Sequence, residues 1–312
     1  MCNFRLLGIS NLCEHHSKVV FELKSLVGGV STKWYLTRVG SGRKIKSLQG
    51  ASLSYPNMKN LFSLEGKTAL VTGGGQGLGG AIAEGFAHFG ADVAVVDINI
   101  ETAESVAEGI RSMGRKAVGL ACDVSKADQG VAVVKKAITE LGKIDILAAV
   151  AGIGDRAMAE DMTMDQWDHV LNINLRGVWI FDQLIGKHLI SRKAPGSIIN
   201  MASVAGQVGV KTGNANYAAS KGGVIALTRL LAIEWSKFNI RVNAIAPVQF
   251  KTPLIAELLN NPATVDYFLS AIPLGRLGEV KEIVGPAVFL ASEAASMVTG
   301  IVLNVDGGMT AM

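Results

Sequence analysis

The stretch Leu70-Val71-Thr72-Gly73-Gly74-Gly75-Gln76-Gly77-Leu78-Gly79 decides the fold. A β-branched run ends at Thr72, glycines follow at once, and a helical pattern begins near Gly79. Glycines let a backbone turn sharply and approach a pyrophosphate, whose charge then meets the open amides and positive dipole of a helix start. Alone, such a string is weak evidence. Between a first strand and a first helix, with an acid ending the next strand, it marks a dinucleotide site. That acid is Asp97, 18 residues beyond Gly79. A carboxylate there accepts hydrogen bonds from ribose hydroxyls and repels a 2′-phosphate, so NAD is expected over NADP. Gln76 is neutral and supplies no cation for that phosphate. The expected loop contacts are Thr72, Gly73, Gly75, Gln76, Gly77, Leu78 and Gly79.

Outward from this loop, short apolar runs alternate with helical segments. The runs are 67–72, 92–97, 116–123, 144–149, 197–201, 241–246 and 301–305; the helical segments lie near 79–89, 99–113, 126–141, 163–190, 213–237 and 279–291. Strands apolar on both faces, joined by crossover helices, predict a parallel sheet between helix layers. The expected fold is therefore α/β: a single Rossmann-type, doubly wound domain over 58–312 with a seven-stranded parallel sheet. Residues 247–278, with four prolines and no strand, interrupt the alternation. An insertion at a strand's carboxyl end is where ligands bind in such sheets, and this one reads as a substrate lid with short helices.

Tyr217 and Lys221 stand four residues apart in a helical segment, with Ser203 fourteen residues upstream of the tyrosine. Positions i and i+4 share a helix face. Bringing a phenol to neutrality needs a shift of about 3 units from pH 10, and a cation about 4 Å away is worth about 4 kcal/mol at an effective dielectric of 20. Lys221 is thus expected to lower the pKa of Tyr217, which becomes the proton-transfer group. The same spacing alone is also what an amphipathic helix surface shows.

Composition narrows the class. Of 312 residues, 49% are hydrophobic and 18% charged, enough chain for one large core. Eight of the 30 basic residues but only two of the 26 acids fall in residues 1–57, so the remainder is near neutral and nucleic acid is not implied. That leader, with eight serines, reads either as an organelle transit peptide, mitochondrial in type, or as a disordered or over-extended start ahead of Met58. Without targeting, the expected location is cytoplasmic. No run of 18 apolar residues predicts a membrane span. The cysteines are Cys2, Cys13 and Cys122, with no disulfide framework or metal spacing, so no metal is expected.

Six motifs together resemble the short-chain dehydrogenase/reductase family: the glycine loop at 72–79, Cys-Asp-Val at 122–124, Asn-Ile-Asn-Leu at 172–175, Ile-Asn-Met-Ala-Ser at 199–203, Tyr-x-x-x-Lys at 217–221 and Val-Asp-Gly-Gly at 305–308. The resemblance implies a tetrad of Asn174, Ser203, Tyr217 and Lys221. Ser203 would hold the substrate oxygen, Tyr217 would exchange the proton, Lys221 would tune it and hold the nicotinamide ribose, and Asn174 would support a water chain. It also implies cofactor contacts from Asp123, Val124, Ala151, Gly152, Val248, Phe250 and Thr252, and a homotetramer or homodimer packed through 163–190 and 213–237, where Trp167, Trp179 and Trp235 fall. Two positions depart from the family pattern. Ala149-Val150 replaces Asn-Asn, removing amides expected to tie the strand and seat the ribose. Val248 replaces a glycine and is expected to stiffen the turn. Phe62-Ser-Leu-Glu-Gly-Lys, Ile272-Pro-Leu-Gly-Arg-Leu-Gly and Val305-Asp-Gly-Gly-Met look like the gluconate 5-dehydrogenase and polyol dehydrogenase branch. Arg156 is a candidate anchor for a substrate carboxylate through its bidentate fork, although a solvated loop arginine is the plainer reading. The alternatives are a 3-oxoacyl-thioester reductase and a non-catalytic dinucleotide sensor.

Overall fold

In the computed structural model, residues 60–211 and 213–312 are described, together with the backbone of 20–27 and 30–37. The chain divides into two units, Met1–Met58 and Lys59–Met312. In the first, β1 (Val20–Val27) and β2 (Val30–Thr37) pair antiparallel, Val27 opposite Val30. The leader's composition predicts no such strand pair, and the transit-peptide and start-site readings otherwise lie outside the described residues.

The second unit carries the expected sheet. Its strands are β3 (Thr68–Thr72), β4 (Asp92–Asp97), β5 (Ala117–Ala121), β6 (Ile146–Ala149), β7 (Gly196–Met201), β8 (Ile240–Pro247) and β9 (Val302–Val305). All pair in parallel in the order β5-β4-β3-β6-β7-β8-β9. Successive strand residues point to opposite faces. Leu70, Val96, Leu147 and Ile198 therefore pack with α3 (Ala127–Leu141), α5 (Gly177–Arg192) and α6 (Ala215–Trp235). Val71, Val95, Ile146 and Ile199 pack on the other side with α1 (Gly77–His88), α2 (Ile100–Ser112) and α8 (Val284–Ala291). The strand order reverses between β3 and β6, which opens a crevice at their carboxyl ends.

One element differs from the sequence reading. The single helix expected over 163–190 is α4 (Met164–Leu171) and α5 joined by a π-helical turn, Asn172–Arg176. Such a turn inserts an extra residue, and π turns gather at functional sites because they re-aim a side chain. The 247–278 insertion holds two short 3₁₀ turns, Pro253–Ile255 and Leu258–Asn260, then α7 (Pro262–Ser270), gathered on Phe268, Ile272 and Leu277. Among the described residues no helix is long and apolar enough to cross a membrane.

One buried polar cluster has no place in the sequence reading. Asp182 of α5 is fully buried; the Asn200 amide donates to its Oδ2 at 3.0 Å and to Thr228 Oγ1 at 3.1 Å. Its Oδ1 has no hydrogen-bond partner among the described residues. Burial pushes the Asp182 carboxyl up to about 8, against the downward pull of the Asn200 bond. A carboxyl raised above its unfolded value of about 3.9 holds its proton in the fold, so its stabilising contribution is complete below about pH 4 and is lost as pH rises through about 8. Asp182→Asn keeps an acceptor for Asn200 and removes the titration. Melting temperatures at pH 5 and pH 8.5 should therefore fall more with rising pH in the wild type than in the variant.

Candidate active site

The glycine loop leaves β3 and enters α1 in a shape that side chains would obstruct. Gly73 and Gly77 have positive φ, at 64° and 55°. A Cβ on Gly79 would stand 2.0 Å from the Gly73 carbonyl oxygen. The first turn of α1 has no side-chain cap and no acidic residue, so its amides stay open to an anion. Asp97 closes the loop from behind: its Oδ2 accepts from Gly75 N at 3.0 Å and its Oδ1 from Asn99 N at 3.2 Å. A cleft of about 730 Å³ runs from this loop past Asp97, Ile98, Asp123 and Val124 to Ala151, Gly152, Ser203, Tyr217 and Lys221, and on to Val248, Phe250 and Thr252. Its length and the open helix end suit a dinucleotide.

Every cofactor residue expected from the sequence lines this cleft except Thr72 and Gly75, which lie behind it and shape it. Thr72 also resolves the first departure from the family pattern. Its hydroxyl accepts from Val150 N at 3.1 Å and Ala151 N at 3.3 Å, so the ends of β3 and β6 are tied without the missing amides. Val248 keeps an ordinary backbone, since Lys193 and Asn239 are the positive-φ non-glycine residues among those described. The turn therefore does not require glycine. Asp123 is drawn down in pKa: burial pushes it up, but the hydroxyl and amide of Ser125 and the nearby Lys126 and His169 outweigh that.

The four tetrad residues come together from three elements. Asn174, fully buried in the π turn, accepts from Ile153 N at 2.8 Å, donates to Ile153 O at 2.9 Å and reaches Ser220 Oγ on α6 at 3.3 Å. Gly152 marks where it meets Lys221, because a Cβ there would stand 3.2 Å from Asn174 Oδ1 and 3.4 Å from Lys221 Nζ. Ser203 ends the β7 extension and caps the 3₁₀ turn Val204–Gly206 by accepting from Ala205 N at 3.2 Å. Gly206 lets that turn press on α6, since a Cβ would stand 2.6 Å from the Lys221 carbonyl carbon. The Ser203 hydroxyl is thereby a hydrogen-bonding neighbour of Tyr217.

Lys221 Nζ donates to Met201 O at 2.7 Å and stands 5.6 Å from the centre of the Tyr217 ring. Burial dominates both groups: it raises the Tyr217 phenol, against the Ser203 hydrogen bond and the Arg156 charge, and lowers Lys221 to about 8. The cation that pulls Tyr217 down is Arg156, whose own pKa is lowered by burial and supported by Tyr217. Sequence reasoning missed Ile98, 75% exposed in the cleft beside Asp97, and Asn216, fully buried before Tyr217. Neither carries a motif. Trp235 is partly buried and packs against the core: a Cβ on Gly186 of α5 would stand 2.6 Å from its ring.

Comparison with known proteins follows this geometry. A family model described as enoyl-(acyl carrier protein) reductase matches residues 73–310. The chain is 40% identical over 253 residues to a 2-dehydro-3-deoxy-D-gluconate 5-dehydrogenase of Dickeya dadantii (strain 3937), covering 81% of this chain and 98% of the relative. It is 40% identical over 246 residues to a 3-oxoacyl-(acyl-carrier-protein) reductase of Thermotoga maritima, covering 79% and 98%. The structure of a gluconate 5-dehydrogenase from Burkholderia cenocepacia J2315 in complex with NADP and tartrate matches with a TM-score of 0.78 at 37% identity, over 81% of this chain and 98% of that one. The chain belongs to the short-chain dehydrogenase/reductase family. It is an oxidoreductase of CH–OH groups that works with a nicotinamide dinucleotide.

A buried lysine pushed from 10.5 to about 8 burdens the fold at pH 7, where both folded and unfolded chains carry the proton. Lys221→Met removes a charge whose burial costs roughly 3 kcal/mol. The variant should melt several degrees higher than wild type at pH 7, and the gain should shrink at pH 10; scanning calorimetry at the two pH values reads both.

Proposed function

We propose that this protein catalyses the reversible oxidation of a secondary alcohol on a sugar acid or polyol, in the manner of a gluconate 5-dehydrogenase, with NAD as hydride acceptor. The observation that carries the reading is the convergence of Ser203, Tyr217, Lys221 and Arg156 on one end of the dinucleotide cleft. A nicotinamide held at this end of the cleft would supply the acceptor for the hydride that leaves the alcohol carbon. Ser203 donates to the substrate oxygen and holds it beside Tyr217. Tyr217 takes the hydroxyl proton during oxidation and returns it during reduction, and both groups stabilise the alkoxide-like charge on that oxygen. Lys221 would hold the nicotinamide ribose, and Asn174 fixes Ile153 and Ser220 around it. Arg156 receives the substrate carboxylate. The sugar-acid relatives named above support this choice of substrate.

Asp97 supports NAD: a 2′-phosphate on the adenosine ribose would face its carboxylate at the end of β4. Asp97→Asn should raise kcat/KM with NADP relative to NAD by about tenfold or more, since facing like charges cost several kcal/mol. A dimer or tetramer through α5 and α6 is supported by the exposed Trp179, Leu230 and Ile233 on those helices. Size-exclusion mass reads that directly.

Initial rates at 340 nm with the full chain, either dinucleotide, and sugar acids, polyols and hydroxyacyl thioesters test the activity. Sugar-acid or polyol turnover with NAD should fall at least about 100-fold in Tyr217→Phe. Turnover of thioesters alone with NADPH would replace this reading by the acyl-thioester reductase. Because burial raises the Tyr217 phenol, oxidation should accelerate as pH rises through the alkaline range. Arg156→Ala removes a charge that lowers the phenol, so with a neutral polyol its rise should move to higher pH.

A further inference from the structure

Asn216 is fully buried and directly precedes Tyr217. Its side chain makes three hydrogen bonds to the main chains of three separate segments. Nδ2 donates to Asp155 O at 3.0 Å and to Gln166 O of α4 at 3.1 Å, while Oδ1 accepts from Tyr217 N at 2.7 Å. Tyr217 N lies in the first turn of α6, where amides have no partner within the helix, and Asn214 at the helix start gives no side-chain cap. Asn216 therefore satisfies the main chain of the catalytic tyrosine while gripping the loop one residue before Arg156.

The other side of Arg156 is held as well. Ala157 forms a parallel bridge with Asn214, its N–H donating to Gly213 O at 3.0 Å. Gln166 adds a further tie, donating from Nε2 to Asp155 Oδ1 at 2.9 Å. The loop carrying Arg156 is thus bonded on both flanks to the chain that leads into Tyr217.

We propose that Asn216 is a positioning residue that fixes the distance between Arg156 and Tyr217, so that the charged end of the substrate and its reacting alcohol are held at one spacing. This rests on the assignment of Arg156 as the carboxylate anchor. A ruler of this kind selects substrates by the distance from carboxylate to carbinol, and misplacement of about 1 Å is enough to cost binding or rate.

The test is a double-mutant cycle on the full chain with Asn216→Ala and Arg156→Ala, assayed with a sugar acid and with a neutral polyol of equal length. Asn216→Ala should raise KM for the sugar acid about tenfold, the worth of one or two lost hydrogen bonds, with kcat and dinucleotide affinity within about threefold. The polyol KM should stay within about threefold, and in the Arg156→Ala background the sugar-acid effect should vanish. Additive effects, or equal losses on acid and polyol, overturn the inference while Arg156 keeps its role. An unchanged sugar-acid KM in Arg156→Ala overturns the anchor itself and the inference with it. Should Asn216→Ala not fold, Asp155→Ala, which removes the Gln166 tie from the loop side chain, should give the same selective rise at about threefold; no rise, or one shared by the polyol, overturns the inference.

Discussion

The amide of Asn174 exchanges two hydrogen bonds with a single residue, Ile153, at 2.8 and 2.9 Å, and touches Ser220 at 3.3 Å. Three segments meet there: the loop leaving β6, the π turn between α4 and α5, and the helix carrying Tyr217 and Lys221. A regular α-helix through 172–176 would aim position 174 differently, so the π turn is the local irregularity on which this junction depends. A fully buried amide with its donors and acceptor used is a rigid joint, because leaving any of those groups unpaired costs about 1–3 kcal/mol. Ser203 is brought in from the fourth direction by the end of β7 and its close packing on α6.

Electrostatics around this joint work against folding and for chemistry. Burial lifts the phenol of Tyr217 and depresses the ammonium of Lys221 to about 8. Both groups are less comfortable than in water, and both sit where a proton must move. Arg156 and Ser203 offset part of the burden on Tyr217, which gives the loop after β6 an influence on the proton-transfer group as well as on the substrate. Asp182 is a second strained acid, in the layer beneath β7, and lies outside the catalytic cleft.

Much of this was legible in the sequence for identifiable reasons. The sheet could be read because its strands are apolar on both faces, and the dinucleotide cleft because Gly73, Gly77 and Gly79 stand where a Cβ or an ordinary φ would obstruct the turn. Tyr217 and Lys221 could be paired because helical spacing fixes their common face. Their electrostatics could not. Spacing says nothing of burial, and the Lys221 ammonium turns to the Met201 carbonyl, a partner 20 residues away that only the fold supplies. The π turn was hidden because its residues suit an ordinary helix. Asn216 and Ile98 were hidden because their importance comes from neighbours distant in sequence. Trp235 could be placed on its helix but not against its neighbour, because Gly186, whose missing side chain admits its ring, lies on another helix.

The most direct test of the whole account is a crystal structure of the protein with oxidised dinucleotide and a sugar acid that turns over slowly in Tyr217→Phe. The account predicts the reacting alcohol oxygen within hydrogen-bonding reach of Ser203 Oγ and beside the ring of residue 217, the ribose hydroxyls of the adenosine on Asp97, and the carboxylate on Arg156. A substrate bound with its carboxylate toward position 217, or with its alcohol away from Ser203, would contradict it.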